Sequence, residues 1–275
     1  MFSQLILFAS LSALFALASA NFTQVINNHT FISSGPDLTA SLETYQLSTH
    51  KTAVRLLKTR LGEDGLLALL QPDIKEADAF WHTVIENSTP DVWHAASARV
   101  VCFFPTLTAY DFFRWTASPL ADAANLEANA EHYMKRTVTL PTGGLQSQIL
   151  EGWGGVTTLF NIPDYAFPPN RTKYPFLDDH SLAAGWFSAA GAKNLLDGSN
   201  ATFGVLQTSV RDVDGSAYGQ AGKKGIEVVA NVFMGDGAKN DFVEAERQHM
   251  VIEIIALTSQ AQKDYESGLI THVDP

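Results

Sequence analysis

The chain has 275 residues, 46% of them hydrophobic, with 18 Lys and Arg against 29 Asp and Glu and a net charge of −11. That balance excludes a nucleic-acid binder, which needs Lys/Arg patches to neutralise phosphates, and an anionic membrane surface. A single cysteine, Cys102, excludes an intrachain disulfide.

Residues 1–20 read as a secretory leader. Leu5 to Leu17 is apolar and too short for a bilayer span, and Ala18-Ser19-Ala20 supplies the small-x-small cleavage pattern. Five Asn-x-Ser/Thr sequons follow, at Asn21, Asn28, Asn87, Asn170 and Asn200. Each marks an expected N-glycan acceptor on the surface of a secreted protein. No later apolar run is long enough for a second span, so no transmembrane segment is expected once the leader is removed.

No Gly/Ser or Pro-rich linker divides the remainder. Residues 21–95 read as a partly helical extension and 96–275 as the main domain, the two packed as one unit. Residues 21–50 look irregular and polar. Residues 53–71 have helical spacing with a glycine break, and 73–86 form a second helical piece around Phe80 and Trp81. Ala98 to Phe104 reads as a strand with Cys102 buried in it, and Thr108 to Trp115 as an aromatic-rich helix. Leu120 to Glu131 is Ala/Asn-rich with helical character. Arg136 to Leu140 alternates as a strand, and Pro141-Thr142-Gly143-Gly144 signals a turn. Gln146 to Phe160 reads as one longer strand broken by glycines, and 163–197 as a Pro/aromatic-rich insertion without period. Thr202 to Val213 and Ile226 to Met234 read as further strands. Asp236-Gly237 makes a turn, and a long helix runs from Asp241 to Glu266, with Gly268 as its stop. Strands in the middle and one long helix at the end, without βαβ alternation, give an α+β domain whose antiparallel sheet wraps the last helix.

That helix carries the chemistry. In Gln248-His249-Met250-Val251-Ile252-Glu253-Ile254-Ile255-Ala256-Leu257 the apolar residues surround His249 and Glu253, which lie one turn apart on one face. A helix apolar all round is expected to be buried, and a buried carboxylate needs a cation, a hydrogen-bond partner or a proton. The spacing suits two metal ligands; it equally suits a buried His–Glu ion pair or hydrogen bond. Glu151 interrupts the apolar run Ile149 to Trp153, where strand alternation points it inward, and His132 stands just before a strand. Two His and two carboxylates make an N/O site suited to zinc, and also to iron or manganese. Tyr133 and His180 are candidate catalytic residues for substrate contact and proton handling. There is no Gly-x-Ser-x-Gly elbow, dinucleotide fingerprint or P-loop.

With these residues in place the chain resembles the diacetylphloroglucinol/phloretin hydrolase family over roughly residues 98–260. The resemblance lies in Tyr110-Asp111-Phe112-Phe113-Arg114-Trp115, Asn129-Ala130-Glu131-His132-Tyr133, Leu150-Glu151-Gly152-Trp153-Gly154-Gly155, the Gly225–Val228 strand and His249-x-x-x-Glu253. It implies a START/Bet v1-like helix-grip fold. It also implies a zinc site formed by His132, Glu151, His249 and Glu253, and hydrolysis of the carbon–carbon bond between an acyl group and a phloroglucinol ring. The expected activity is that of a secreted metal-dependent hydrolase of an acylated aromatic or polyketide-like small molecule. The alternative is a secreted, non-enzymatic binding protein for a hydrophobic small molecule, its cavity lined from among 17 Phe, 7 Tyr and 5 Trp.

Overall fold

The structure, a computed structural model of the chain, describes residues 21–26, 29–34, 42–141, 144–163 and 165–273. The leader expected at residues 1–20, the sequon residue Asn28 and part of the turn at 141–144 lie outside them. The chain forms two compact units, Met1–Ala53 and Val54–Pro275.

In the first unit, β1 (Asn21–Ile26) pairs antiparallel with β2 (His29–Ser34), Asn21 opposite Ser34 and Ile26 opposite His29. The stretch expected to be irregular is therefore partly strand. Its Thr, Val and Ile content favours the extended backbone, a preference that the polar residues between them obscured. Helix α1 (Leu42–Leu69) spans the boundary between the units, and its expected break falls at Gly62, with φ 62° and ψ −179°.

The second unit begins at Val54, so α2 (Gln71–Glu86), which the sequence places in the extension, belongs to the same unit as the sheet. Pro72 sits in the first turn of α2, where a missing N–H costs nothing. Next come β3 (Trp93–Cys102), α3 (Ala109–Thr116) and α4 (Pro119–Ala128). The Thr108 hydroxyl caps α3 by accepting from the Asp111 N–H at 3.2 Å. Five strands lead from there towards the final helix: β4 (His132–Thr139), β5 (Leu145–Trp153), β6 (Val156–Ile162), β7 (Phe187–Leu195) and β8 (Thr202–Asp214). Strand β9 (Lys224–Gly235) and α5 (Asn240–Glu266) complete the chain of elements. These seven strands form one antiparallel sheet in the order β3-β9-β8-β7-β6-β5-β4.

Two expectations need correction. The single strand predicted from Gln146 to Phe160 is a hairpin of β5 and β6, turned at Gly154 and Gly155 with φ of 57° and 80°. Paired positive φ is what a tight hairpin turn requires, and only glycine adopts it without strain. A Cβ on Gly154 would also lie 2.9 Å from the Phe242 ring of α5. The insertion expected over 163–197 ends in a full strand, β7. Its residues from Ser188 to Leu195 are nearly all buried, so it lacks the period-2 alternation by which strands are recognised.

Helix α5 lies along the sheet's inner face. Met250, Ile254 and Ala261 join one core with Ile149, Phe160, Val228, Ala230 and Val232. Trp81 of α2 is fully buried in the same core, and its indole N–H donates to Thr158 Oγ1 at 2.9 Å. Burial of a side chain that size contributes about 3 kcal/mol. Cys102 is half-buried, 3.4 Å from Thr258 Oγ1, and burial raises its thiol pKa. The expectation of a helix buried all round fails at Ile252 and Ile255, which are 51% and 50% exposed. No helix among the described residues is long and apolar enough to cross a membrane.

Candidate functional site

Between α5 and the concave face of the sheet lies a cavity of about 190 Å³. Its apolar wall comes from Leu206, Val228, Ala230 and Val232 of the sheet and from Met250, Ile254 and Leu257 of α5. Its polar end is made by Asn125, Glu151, Lys193, Glu246, His249 and Glu253.

Local geometry explains each placement. On α5, residues 246, 249, 250, 253, 254 and 257 follow helical spacing and share the face turned to the cavity. On β5, alternation turns Ile149 and Glu151 to the cavity. A register irregularity in β4 between His132 and Met134 places His132 opposite Glu151. His132 is 1% exposed, sealed behind the lining residues.

Three of the four predicted ligands converge: single donor atoms of His132, His249 and Glu253 all lie within 4.8 Å of one another. The two Nε2 atoms of the histidines are 2.9 Å apart. Glu151 stands at the margin, its Oε2 3.8 Å from His132 Nε2. Each of the four is held from behind. His132 Nδ1 lies 2.6 Å from the Asn125 carbonyl, so Nδ1 carries the proton and Nε2 faces the cluster with its lone pair. The Asn125 side-chain amide donates to Glu253 Oε1. Asn129 Nδ2 lies 3.2 Å from His249 Nδ1, and Lys193 Nζ lies 3.4 Å from Glu151 Oε1. The C-terminal end of α4 thus supports three of the four residues, an arrangement common behind metal ligands.

Burial lowers the pKa of His132, more strongly than the nearby carboxylates raise it, which keeps the ring neutral. For Glu151, burial pushes the pKa up, but Lys193 and then the two histidines outweigh it and hold the carboxyl below its ordinary value. Glu246 goes the other way: burial raises its pKa against the pull of Lys193. Tyr165, also on the cavity wall, has its phenol pKa raised by burial and then by Glu151 and Glu253, so it stays protonated and can donate.

Neither Tyr133 nor His180 is among the residues that line the cavity. The Tyr133 ring packs beside Ile74, Met134 and Leu150, with Lys58 Nζ 5.7 Å from its centre. His180 lies on the sheet's opposite face, where Nδ1 meets Ser209 Oγ at 2.9 Å and the ring stacks on Trp186 at 4.2 Å. Conversely, Glu246 and Lys193 escaped the sequence reading. Glu246 is three residues before His249 and on the same helical face, a signal that its charged neighbours Glu244 and Arg247 obscured.

No family model matches the chain, and no curated protein matches it by sequence. Among solved structures, Ara h 8.0201 aligns with a TM-score of 0.36 and 12% identity, covering 63% of this chain and 99% of that one. A protein from Rhizobium leguminosarum aligns with a TM-score of 0.38 and 12% identity, covering 62% and 97%. The chain's own topology defines its class: one strand, two short helices, six strands in meander and a long helix gripped by the sheet. By that order of elements, the chain is an α+β protein of the helix-grip type.

Proposed function

We propose that the chain is a metal-dependent hydrolase that cleaves the carbon–carbon bond between an acyl group and the ring of a small aromatic or polyketide-like molecule. The observation that carries this reading is the convergence of His132, His249 and Glu253, with Glu151 beside them, at the polar end of an apolar cavity. The donor set of imidazole nitrogens and carboxylate oxygens, each with a supporting partner, suits zinc, and also iron or manganese. A metal bound there supplies Lewis acidity towards a ketone oxygen or towards water. The remaining chemistry belongs to the chain. The apolar wall takes the ring and excludes bulk water. The Tyr165 phenol donates a hydrogen bond to a ligand oxygen. In the overall reaction the oxygen of water bonds to the acyl carbon, and the acyl–ring bond breaks with its electron pair going to the ring carbon. That carbon takes a proton, leaving a carboxylic acid and a ring C–H. A cavity of about 190 Å³ fits one ring with short acyl arms.

A second reading, a binding protein for a hydrophobic small molecule, has one observation in its favour. The Glu131 N–H donates to Asn129 Oδ1 at 3.2 Å, which turns Asn129 Nδ2 towards His249 Nδ1. His249 then carries its proton on Nε2 and donates to His132 Nε2, and His132 donates to the Asn125 carbonyl. The chain of hydrogen bonds closes by itself. A metal on His249 Nε2 requires the Asn129 amide to turn over, at the expense of a bond to an exposed N–H that water replaces.

Elemental analysis separates the two. The purified chain is expected to hold about one metal ion, lost in His249→Ala/Glu253→Ala together with turnover of an acylphloroglucinol. A metal-free wild-type protein, as stable as that variant, overturns the hydrolase and leaves the binding protein.

Secretion and glycosylation belong to the same proposal. Asn87, Asn170 and Asn200 are exposed, as an acceptor asparagine must be.

A further inference from the structure

Lys193 of β7 is 3% exposed, unusual for an ammonium. Its Nζ lies between two carboxylates, 3.4 Å from Glu151 Oε1 and 3.6 Å from Glu246 Oε1. Aromatic faces complete the surroundings: Nζ is 4.4 Å from the Phe160 ring centre, 4.5 Å from Trp153 and 5.6 Å from Phe203. A buried cation is retained when carboxylates and ring faces replace its water, and both are present.

This arrangement divides the labour of Glu151 between its two oxygens. Oε1 is taken by Lys193, and Oε2 is left on the side of His132 Nε2, 3.8 Å away. Glu246 is also buried, at 2% exposure, but it stands apart from the close group of His132, His249 and Glu253. Its ion-pair partner is Lys193, and among the described residues its Oε2 has no hydrogen-bond partner.

We infer that Lys193 is a positioning residue that holds Glu151 by one oxygen and so presents the other to the histidine cluster, with Glu246 serving as the counter-ion of Lys193 and not as a metal ligand. The inference rests on the metal-centre reading above. Without Lys193, two buried carboxylates lose their common cation, and Glu151 loses the contact that fixes its rotamer.

The test uses the full chain, loaded with zinc or cobalt. Zinc affinity is measured by competition with a chelator, and the visible absorption of the cobalt form reports the geometry around the ion. Lys193→Met is expected to weaken zinc about 10- to 100-fold, the usual cost of losing a partner behind a ligand, and to change the cobalt spectrum. Glu246→Gln keeps an oxygen for Lys193 and is expected to hold zinc within about threefold of wild type. If Lys193→Met does not fold, Lys193→Met/Glu246→Leu removes both charges of the pair and should show the same loss of affinity. Wild-type affinity and an unchanged cobalt spectrum in the Lys193 variants overturn the inference, as does loss of zinc in Glu246→Gln. A wild-type chain that takes up neither ion overturns the metal-centre reading with it.

Discussion

The outer face of strands β7, β8 and β9 and the cavity between the sheet and α5 both hold buried polar side chains and treat them differently. On the outer face, Gln207 holds both the N–H and the carbonyl of Asp178 at 3.0 Å, and Asn231 donates to the Asp178 carboxylate at 2.8 Å. Ser209 sits between Ser188 at 2.8 Å and His180 at 2.9 Å, and Glu227 is gripped by Arg211 and Arg99. Among the described residues one atom there, Asn231 Oδ1, is left over. This face is a mutually satisfied network that fastens the segment around Asp178 and His180 to the sheet. On the inner face, charges are concentrated and incompletely matched: two carboxylates, Glu151 and Glu246, share one lysine, and among the described residues Glu246 Oε2 has no hydrogen-bond partner. Polar groups that saturate one another stabilise a fold, whereas each buried polar atom left without a partner calls for a separate physical account.

Substitutions can break or sharpen this contrast. The largest effect is expected from Ala230→Trp, which fills the cavity from the apolar wall. Affinity for a mono-acylphloroglucinol should fall about 100-fold, a cost of steric overpacking, with metal content unchanged. Unchanged affinity by calorimetry would place the ligand elsewhere. Next comes Glu227→Gln on the outer face. Burial raises the Glu227 carboxyl, but Arg211 and then Arg99 outweigh it, and the folded value lies below the ordinary one. A depressed carboxyl contributes stability above its unfolded value of about 4.3, and that contribution is lost as the pH falls through the folded value. The variant should be less stable by about 1–2 kcal/mol at pH 7, with the gap closing below about pH 4 in urea titrations. The smallest effect belongs to His180→Ala. Ser209 keeps Ser188, so the loss should be about 1 kcal/mol, with turnover and metal content at wild-type levels. Loss of turnover at unchanged stability would move His180 from the fastening network into the chemistry.

The legible and illegible parts of the sequence divide along the same line. His249 and Glu253 stood out because an apolar helix segment isolates polar residues, and their one-turn spacing survives folding. Glu151 stood out for the same reason on a strand. Glu246 did not, because Glu244, Arg247 and Gln248 give its turn the look of a solvated one; only the phase of the helix places it with His249. Lys193, in Ala-Gly-Ala-Lys-Asn-Leu, lies on a strand buried on both sides, and such a strand shows no alternation to mark which side matters. The long helix, the strands β8 and β9 and the turn at Asp236 were readable from periodicity and turn chemistry. The hairpin of β5 and β6 was not, because two adjacent glycines read as interruptions of one strand and not as its reversal. Tyr133 and His180 were suggested by chemical type alone, which says nothing about the face of a sheet on which a side chain emerges.

Strand β7 is joined to β6 at two positions, Phe160 opposite Leu195 and Asn161 opposite Asn194, while it runs beside β8 for most of its length. A ladder that narrow is the place where a sheet opens first, and its amide protons should exchange with solvent ahead of those in β8 and β9. Lys193 is one residue from this junction and Phe160 is part of it. Peptides covering 156–162 and 187–195 therefore report two things in a single hydrogen-exchange experiment: how readily the sheet parts, and whether an occupant at the charged end of the cavity holds it shut.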